Sequence, residues 1–387
     1  MQFLKVGVMG ALAVSISSLM IDTTTNMARA DMISVDGFSM SADFRARLEN
    51  DWDSQKSDGS SRDDRLRARI RARVAIKYQP DDTYEFGIRL RSGAENSHQS
   101  PHITVFDFDD NNTGDADFNF DKYYMKIKGS GFTAWAGRNS HPFWKQDEFF
   151  WDDDVTPLGA AVSYSTKVGS ASNISINTGA FSMPVGMRDS TGSLVGGQGV
   201  YSVKVNDSTK LTFAAGYFVF DADMDDPEAG TLRNGNGLRD YETLVLNGQA
   251  KFNAGIPITI GANYYDNGEN YTAADLATLS SHMTGVTASD TTGYAAFIKA
   301  NVAKDWQVAY YYADIDGLAF NGSYGQDDWV RWGSSTEAES TNMKGHEFRV
   351  KYSIDGKSNL VLRGYFVESV TNQQDGNRAR LDYNRKF

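Results

Sequence analysis

The stretch Arg65-Leu66-Arg67-Ala68-Arg69-Ile70-Arg71-Ala72-Arg73-Val74-Ala75-Ile76-Lys77-Tyr78 decides the fold. Its even positions are all apolar, while Arg65, Arg67, Arg69, Arg71, Arg73 and Lys77 fill all but one of the odd ones. Side chains on a strand point alternately to opposite faces, so this ribbon has one apolar and one strongly cationic side. A helix is the competing reading for a segment rich in Ala and Arg. With a period of about 3.6 residues, it would scatter the arginines around its circumference, and the strict alternation argues against it.

The same alternation extends in both directions. Upstream, Phe38, Met40, Ala42, Phe44, Ala46 and Leu48 alternate with Ser39, Ser41, Asp43, Arg45, Arg47 and Glu49. Downstream, Tyr84, Phe86, Ile88 and Leu90 face away from Glu85, Arg89 and Arg91. Farther on, Phe348, Val350 and Tyr352 oppose Glu347, Arg349 and Lys351. At the end, Ala379, Leu381 and Tyr383 oppose Arg378, Arg380 and Asp382, and Arg385 breaks that apolar face.

Sixteen such runs start near 37, 64, 83, 118, 132, 157, 173, 198, 210, 239, 257, 291, 306, 343, 359 and 378. Connections near 79–82, 129–131, 169–172, 207–209, 253–256, 303–305 and 355–358 are three or four residues long. Those near 50–63, 94–117, 140–156, 182–197, 222–238, 267–290, 316–342 and 370–377 are mostly far longer. Short turns on one rim and long loops on the other predict an all-β transmembrane antiparallel β-barrel of about 16 strands. Its turns would be periplasmic and its loops extracellular. Lipid cannot satisfy backbone polar groups, so a spanning sheet must close on itself. Tyr78, Tyr84, Phe132, Phe252, Trp306, Tyr352 and Phe387 flank the short turns, where amphipathic rings prefer the headgroup level. An exported β-sandwich or β-helix also alternates, but has no reason to alternate long and short connections.

The N-terminus reads as an export signal: Lys5, the apolar run 6–21, and the small-residue site Ala28-Arg29-Ala30. Cleavage after Ala30 would leave 31–387 as a single barrel domain and take the formal charge from −12 to −13. No later stretch approaches the ~18 apolar residues of a membrane helix. With no Cys, disulfides and thiolate metal sites are excluded. The acidic net charge, with basic residues pointing into a lumen, speaks against nucleic acid.

No cofactor, metal site or catalytic constellation is legible. His98 and His102 are four apart, but Pro101 between them indicates a loop. The acids Asp107, Asp109, Asp110, Asp115 and Asp117, and later Asp221, Asp223, Asp225, Asp226 and Glu228, lack the Gly and terminal Glu of a calcium loop. They read as solvated loops, or as lipopolysaccharide-facing loops bridged by divalent ions.

The signal ending at Ala30, the hairpins spanning 38–92, the stretch Trp135-Ala136-Gly137-Arg138 and the terminal Phe387 resemble the sixteen-stranded porins of Gram-negative outer membranes. The resemblance implies an outer-membrane homotrimer among lipid and lipopolysaccharide, and a C-terminal aromatic read by the barrel-assembly machinery. It also implies that the third long loop, 140–156, folds inward and narrows the pore.

On the strand parity, Arg45, Arg47, Arg65, Arg67, Arg69, Arg71, Arg73, Arg89 and Arg91 line one wall of the lumen. Facing lipid near mid-membrane, each would cost ~2–4 kcal/mol. Asp43, Glu49 and Glu85 offset part of that charge. An inward third loop would add an acidic edge of Asp147, Glu148, Asp152, Asp153 and Asp154, held by Phe143, Trp144, Phe149, Phe150 and Trp151. The alternative is an external acidic loop packed on its neighbours.

The expected function is passive diffusion of small hydrophilic solutes and ions. A second reading is a channel with a specific site for an anionic solute, since Arg forks suit carboxylate and phosphate. A barrel hydrolase needs a nucleophile, base and orienter at the rim, and the five His offer no recognisable set. A structural or adhesive barrel needs a filled lumen, whereas the inward Gly261, Asn263, Gln249 and Ser175 suggest space.

Overall fold

The computed structural model describes residues 36–109, 116–329 and 339–387; the export signal lies outside them. The wall begins with β1 (Phe38–Gln55), β2 (Arg65–Tyr78), β3 (Tyr84–Ser92), β4 (Phe118–Lys128), β5 (Phe132–Arg138) and β6 (Leu158–Val168). It continues with β7 (Ser172–Pro184), β8 (Ser190–Asn206), β9 (Thr209–Asp221), β10 (Tyr241–Asn253) and β11 (Pro257–Asn267). β12 (Thr292–Ala303), β13 (Trp306–Ile315), β14 (Met343–Ser353), β15 (Ser358–Ser369) and β16 (Asp375–Lys386) complete it. Each strand pairs antiparallel with the next, and β1 pairs with β16, so the sixteen-stranded sheet is a closed barrel.

Closure is written in charge. Across the seam the inward residues of β1 and β16 stand opposite as Asp43↔Lys386, Arg45↔Asn384, Arg47↔Asp382, Glu49↔Arg380 and Asp51↔Arg378. Three of these are ion pairs: Arg47 Nε–Asp382 Oδ1 at 2.6 Å, Arg380 Nε–Glu49 Oε2 at 2.6 Å and Arg378 Nε–Asp51 Oδ1 at 2.5 Å. Opposite charges directly across a strand pair stabilise it and like charges oppose it. A slip of two residues would set Arg47 against Arg380, so the charges as well as the pleat specify this register.

The outer face is apolar and bare: Val74, Ile76, Ile88, Ile260, Ile298 and Leu362 are each at least two-fifths exposed. Such a surface is stable only against acyl chains, which fixes the even side of β2 as the lipid side. At the turn rim Phe38 stacks on Tyr78 and Trp306 packs at a tilt against Tyr352, with centroids 4.4 and 4.7 Å apart. Arg385, which interrupts the apolar face of the last strand, sits at this rim. Its Nη1 donates to Ser358 Oγ at 2.6 Å and lies 3.5 Å from the turn carboxylate of Asp355. A long cationic side chain there reaches the headgroup region, so the departure from apolar alternation costs little.

Three connections differ from the sequence reading. In 50–63, β1 continues to Gln55, and Ser61 and Arg62 pair back on its end. The stretch 182–197 is strand except for 185–189, because glycines at 192, 196, 197 and 199 hide the alternation of β8. Within 94–117, Ile103–Asp107 forms a short strand that pairs with the upper part of β2, above the point where β3 ends. The five residues Ile-Thr-Val-Phe-Asp are too few to establish a period, so pattern alone missed it.

Candidate functional site

Loop 3, residues 139–157, leaves β5 at Trp135-Ala136-Gly137-Arg138. Gly137 adopts φ +118°, and a Cβ there would collide with the Tyr123 carbonyl, so the bend requires glycine. Arg138 then ties the loop's far end down: its Nε donates to Thr156 O at 2.9 Å and its Nη2 to Gly186 O at 2.8 Å.

From that anchor the loop crosses the lumen. Trp144 N donates to Gln198 Oε1 on β8 at 2.7 Å, and the Gln198 amide returns a bond to Trp144 O at 2.8 Å. Gln146 Nε2 donates to Ala262 O on β11 at 2.7 Å, and Asn263 Nδ2 donates to Asp147 Oδ2 at 2.6 Å. On its return Asp154 Oδ1 lies 2.5 Å from Arg73 Nη1 on β2. In a ring of sixteen, β2 and β11 are nearly opposite, so the segment between Asp147 and Asp154 spans the pore. Gly261, Asn263 and Gln249, read from sequence as open space, form the berth of this loop instead. A Cβ on Gly261 would lie 2.5 Å from Gln146 Oε1.

Apolar packing holds the crossing. Phe143, Phe149, Phe150, Trp151 and Val155 are buried in one cluster with Phe218 and Phe220 of the wall and Phe320, Tyr324 and Trp329 of loop 7, which begins at 316. Removing that much apolar area from water outweighs any single ion pair.

The nine early arginines all point inward, with partners beyond those legible in sequence. Glu49 serves Arg67, Arg69 and Arg380, and Asp43 serves Arg71 at 2.9 Å and Arg73 at 2.8 Å. Asp51 pairs with Arg65 at 3.2 Å and Asp121 with Arg89 at 2.5 Å, while Arg45 Nε donates to Asn384 Oδ1 at 2.7 Å. Arg91 donates to the Ser97 and His98 carbonyls of loop 2 (93–117). Glu85 serves other cations, Lys128 at 2.6 Å and Lys126 at 3.4 Å.

Of the five loop acids only Asp154 touches this wall. Asp153 pairs with its own loop's Lys145 at 2.5 Å, and Asp152 accepts from the Asp154 backbone at 2.7 Å. Glu148 stands beside Asp153; burial first, and that neighbouring carboxylate second, push its carboxyl up to about 8.

A cavity of about 300 Å³ lies between the loop tip and the wall, lined by Asp147, Glu148, Asp153 and Lys145 of loop 3, Lys299, Arg349, Arg363 and Glu347 of the wall, and Asp328 of loop 7. On the far side of loop 3, a space of about 490 Å³ is lined by Lys77, Arg89, Lys122 and Lys126.

Sequence reasoning missed Arg349, Arg363, Arg378 and Arg380 as members of the basic wall. The odd-even rule, carried to the last strands and joined to the first across the seam, would have found them. It also missed Asp328 of loop 7, which lies 2.5 Å from Arg363 and 3.7 Å from Arg47, and also pairs with Arg380. A loop acid carries no periodic signal.

A family model described as "Putative porin" matches residues 25–225. No curated protein matches the chain. Among solved structures, OprB of Pseudomonas putida at high pH aligns over 91% of this chain and 94% of its own, with 12% identity and a TM-score of 0.55. A mutant Rh. blastica porin aligns over 90% of this chain and 100% of its own, with 13% identity and a TM-score of 0.50. At such identities the likeness is one of fold.

Proposed function

The chain belongs to the putative porin family, and we propose that its outer-membrane channel selects among small hydrophilic solutes by charge where loop 3 crosses the lumen. One observation carries the reading: the loop reaches from Asn263 on β11 to Arg73 on β2, leaving a charged space on either side of it. Solutes diffuse through passively, and those that pass the crossing meet mainly acids on the loop and mainly arginines and lysines on the wall. Fixed charges of opposite sign facing each other in a narrow lumen orient polar solutes and reject bulky apolar ones.

In this reading the signal is removed after Ala30 and three copies assemble in the outer membrane. The trimer is supported by the outer face of β16, β1 and β2. Ala46, Ala68, Ala72 and Ala379 lie there among Phe44, Leu48, Ile70, Leu381 and Tyr383, an apolar face for a neighbouring copy to cover. The intact mass of the mature chain tests the cleavage, and its mass in detergent tests the assembly.

Planar-bilayer conductance of the purified protein, with reversal potentials in a KCl gradient, tests the channel itself. Stepwise currents with a reversal potential that shifts on charge substitution at Asp153 or Arg363 support the reading. Currents indifferent to both residues overturn the assignment of the selecting region.

A further inference from the structure

Loop 7 places a carboxylate where the basic wall is densest. Asp328 Oδ2 lies 2.5 Å from Arg363 Nη1 on β15, and its Oδ1 pairs with Arg380 on β16 and lies 3.7 Å from Arg47 on β1. The Asp328 carbonyl also accepts from Arg378 Nη1 at 3.0 Å. Three guanidinium groups from three strands thus converge on one side chain that belongs to none of them.

Each of the three also has an acid within the barrel. Arg47 has Asp382 at 2.6 Å, Arg380 has Glu49 at 2.6 Å, and Arg363 has Asp382 at 3.9 Å. Asp382 is thus shared by two of them and Glu49 also serves Arg67 and Arg69, so Asp328 is a further ligand, brought in from loop 7, for arginines that share their barrel acids. Planar guanidinium forks arranged this way recognise a carboxylate through charge-assisted hydrogen bonds. Burial works against the charge on Asp328, but Arg380, Arg363 and Arg47 hold its carboxyl well below the usual range, so it stays ionised. Asp328 and Arg363 both border the cavity of about 300 Å³ between loop 3 and the wall, so a solute there meets these two directly, while Arg47 and Arg380 lie buried behind Asp328 and open only when it moves away.

We infer that Arg47, Arg363 and Arg380 form a carboxylate-binding site that the chain itself occupies with Asp328, and that carboxylate-bearing solutes compete with that side chain for it. The inference rests on the channel reading and adds the class of ligand and the internal competitor. A tethered competitor acts at an effective concentration of millimolar order or above. It therefore lowers the apparent affinity for a free solute by the fraction of time the cage is closed to it. Such a site would retain carboxylates weakly enough to let them leave, which conduction requires.

The test is block of chloride current by succinate in planar bilayers, comparing the wild-type protein with Asp328→Asn and Asp328→Ala. Removing the internal carboxylate is expected to lower the half-blocking succinate concentration by about tenfold or more, as release of a mostly occupied site requires. Adding Arg363→Gln to Asp328→Asn is expected to cancel the gain. Inorganic phosphate serves as the second probe and is expected to block more weakly than succinate.

Equal or weaker block in both Asp328 variants would make Asp328 a structural counter-ion and overturn the inference. Phosphate blocking better than succinate would overturn the carboxylate assignment. Absence of any conductance step from wild-type protein would overturn the channel reading itself, a result distinct from both.

Discussion

Replacing Asp154 by Asn should change which ions pass while leaving loop 3 in place. Asp154 is the one loop acid on the early arginine wall, 2.5 Å from Arg73 and 3.7 Å from Arg71. A charge-assisted contact of this kind contributes about 1.5–3 kcal/mol. Phe143, Phe149, Phe150, Trp151 and Val155 hold the same loop by burial. At about 1.5–3 kcal/mol per side chain their sum is on the order of 8–15 kcal/mol, an upper figure since the open loop would itself bury some of that area. Half of it still exceeds the ion pair, so the loop keeps its position.

Selectivity then shifts through charge alone. One elementary charge about 8 Å from a passing ion, in water, changes its energy by about 0.5 kcal/mol, a factor of roughly two in relative permeability. Reversal potential in a KCl gradient should move toward anions by that factor while single-channel conductance stays near the wild-type value. Trp151→Ala, which removes about 3–5 kcal/mol of packing, should instead give larger and noisier steps. A large, fluctuating conductance from Asp154→Asn would show that the ion pair holds the loop, and the ranking of forces would be wrong.

Three further outcomes follow from the same geometry. Glu148 ionises only as pH rises through about 8, so cation preference should increase between pH 7 and pH 9, and Glu148→Gln should flatten that profile in reversal-potential measurements. Glu49→Arg opposes Arg380 across the seam and should cost about 3–5 kcal/mol. It should reduce the heat-modifiable folded band on a gel, with partial recovery in the Glu49→Arg/Arg380→Glu double variant. Val74→Arg puts a charge on the lipid face about 10 Å above Tyr78, from four residues of tilted strand. It should lose about 2–4 kcal/mol in denaturant titration of the lipid-reconstituted barrel, whereas Ser175→Arg in the lumen should lose under about 1 kcal/mol. Equal losses would contradict the assigned faces.

Parity let the sequence alone determine most of the wall. The period of two from Arg65 to Tyr78 admits one orientation once lipid is the outer solvent, so the arginines had to point inward. Alternating turn and loop lengths yielded the strand count without any tertiary knowledge. Where glycines interrupt the alternation, as at the start of β8, or where a strand is only five residues long, as in Ile103–Asp107, the pattern was silent.

The partners of the charges were decided only by closure. Glu49 and Arg380 are 331 residues apart in sequence yet meet at 2.6 Å, because a barrel must bring its last strand beside its first. The path of loop 3 and the position of Asp328 depend on side chains from many strands converging in one lumen. No local period encodes such convergence; the curvature of the closed sheet does.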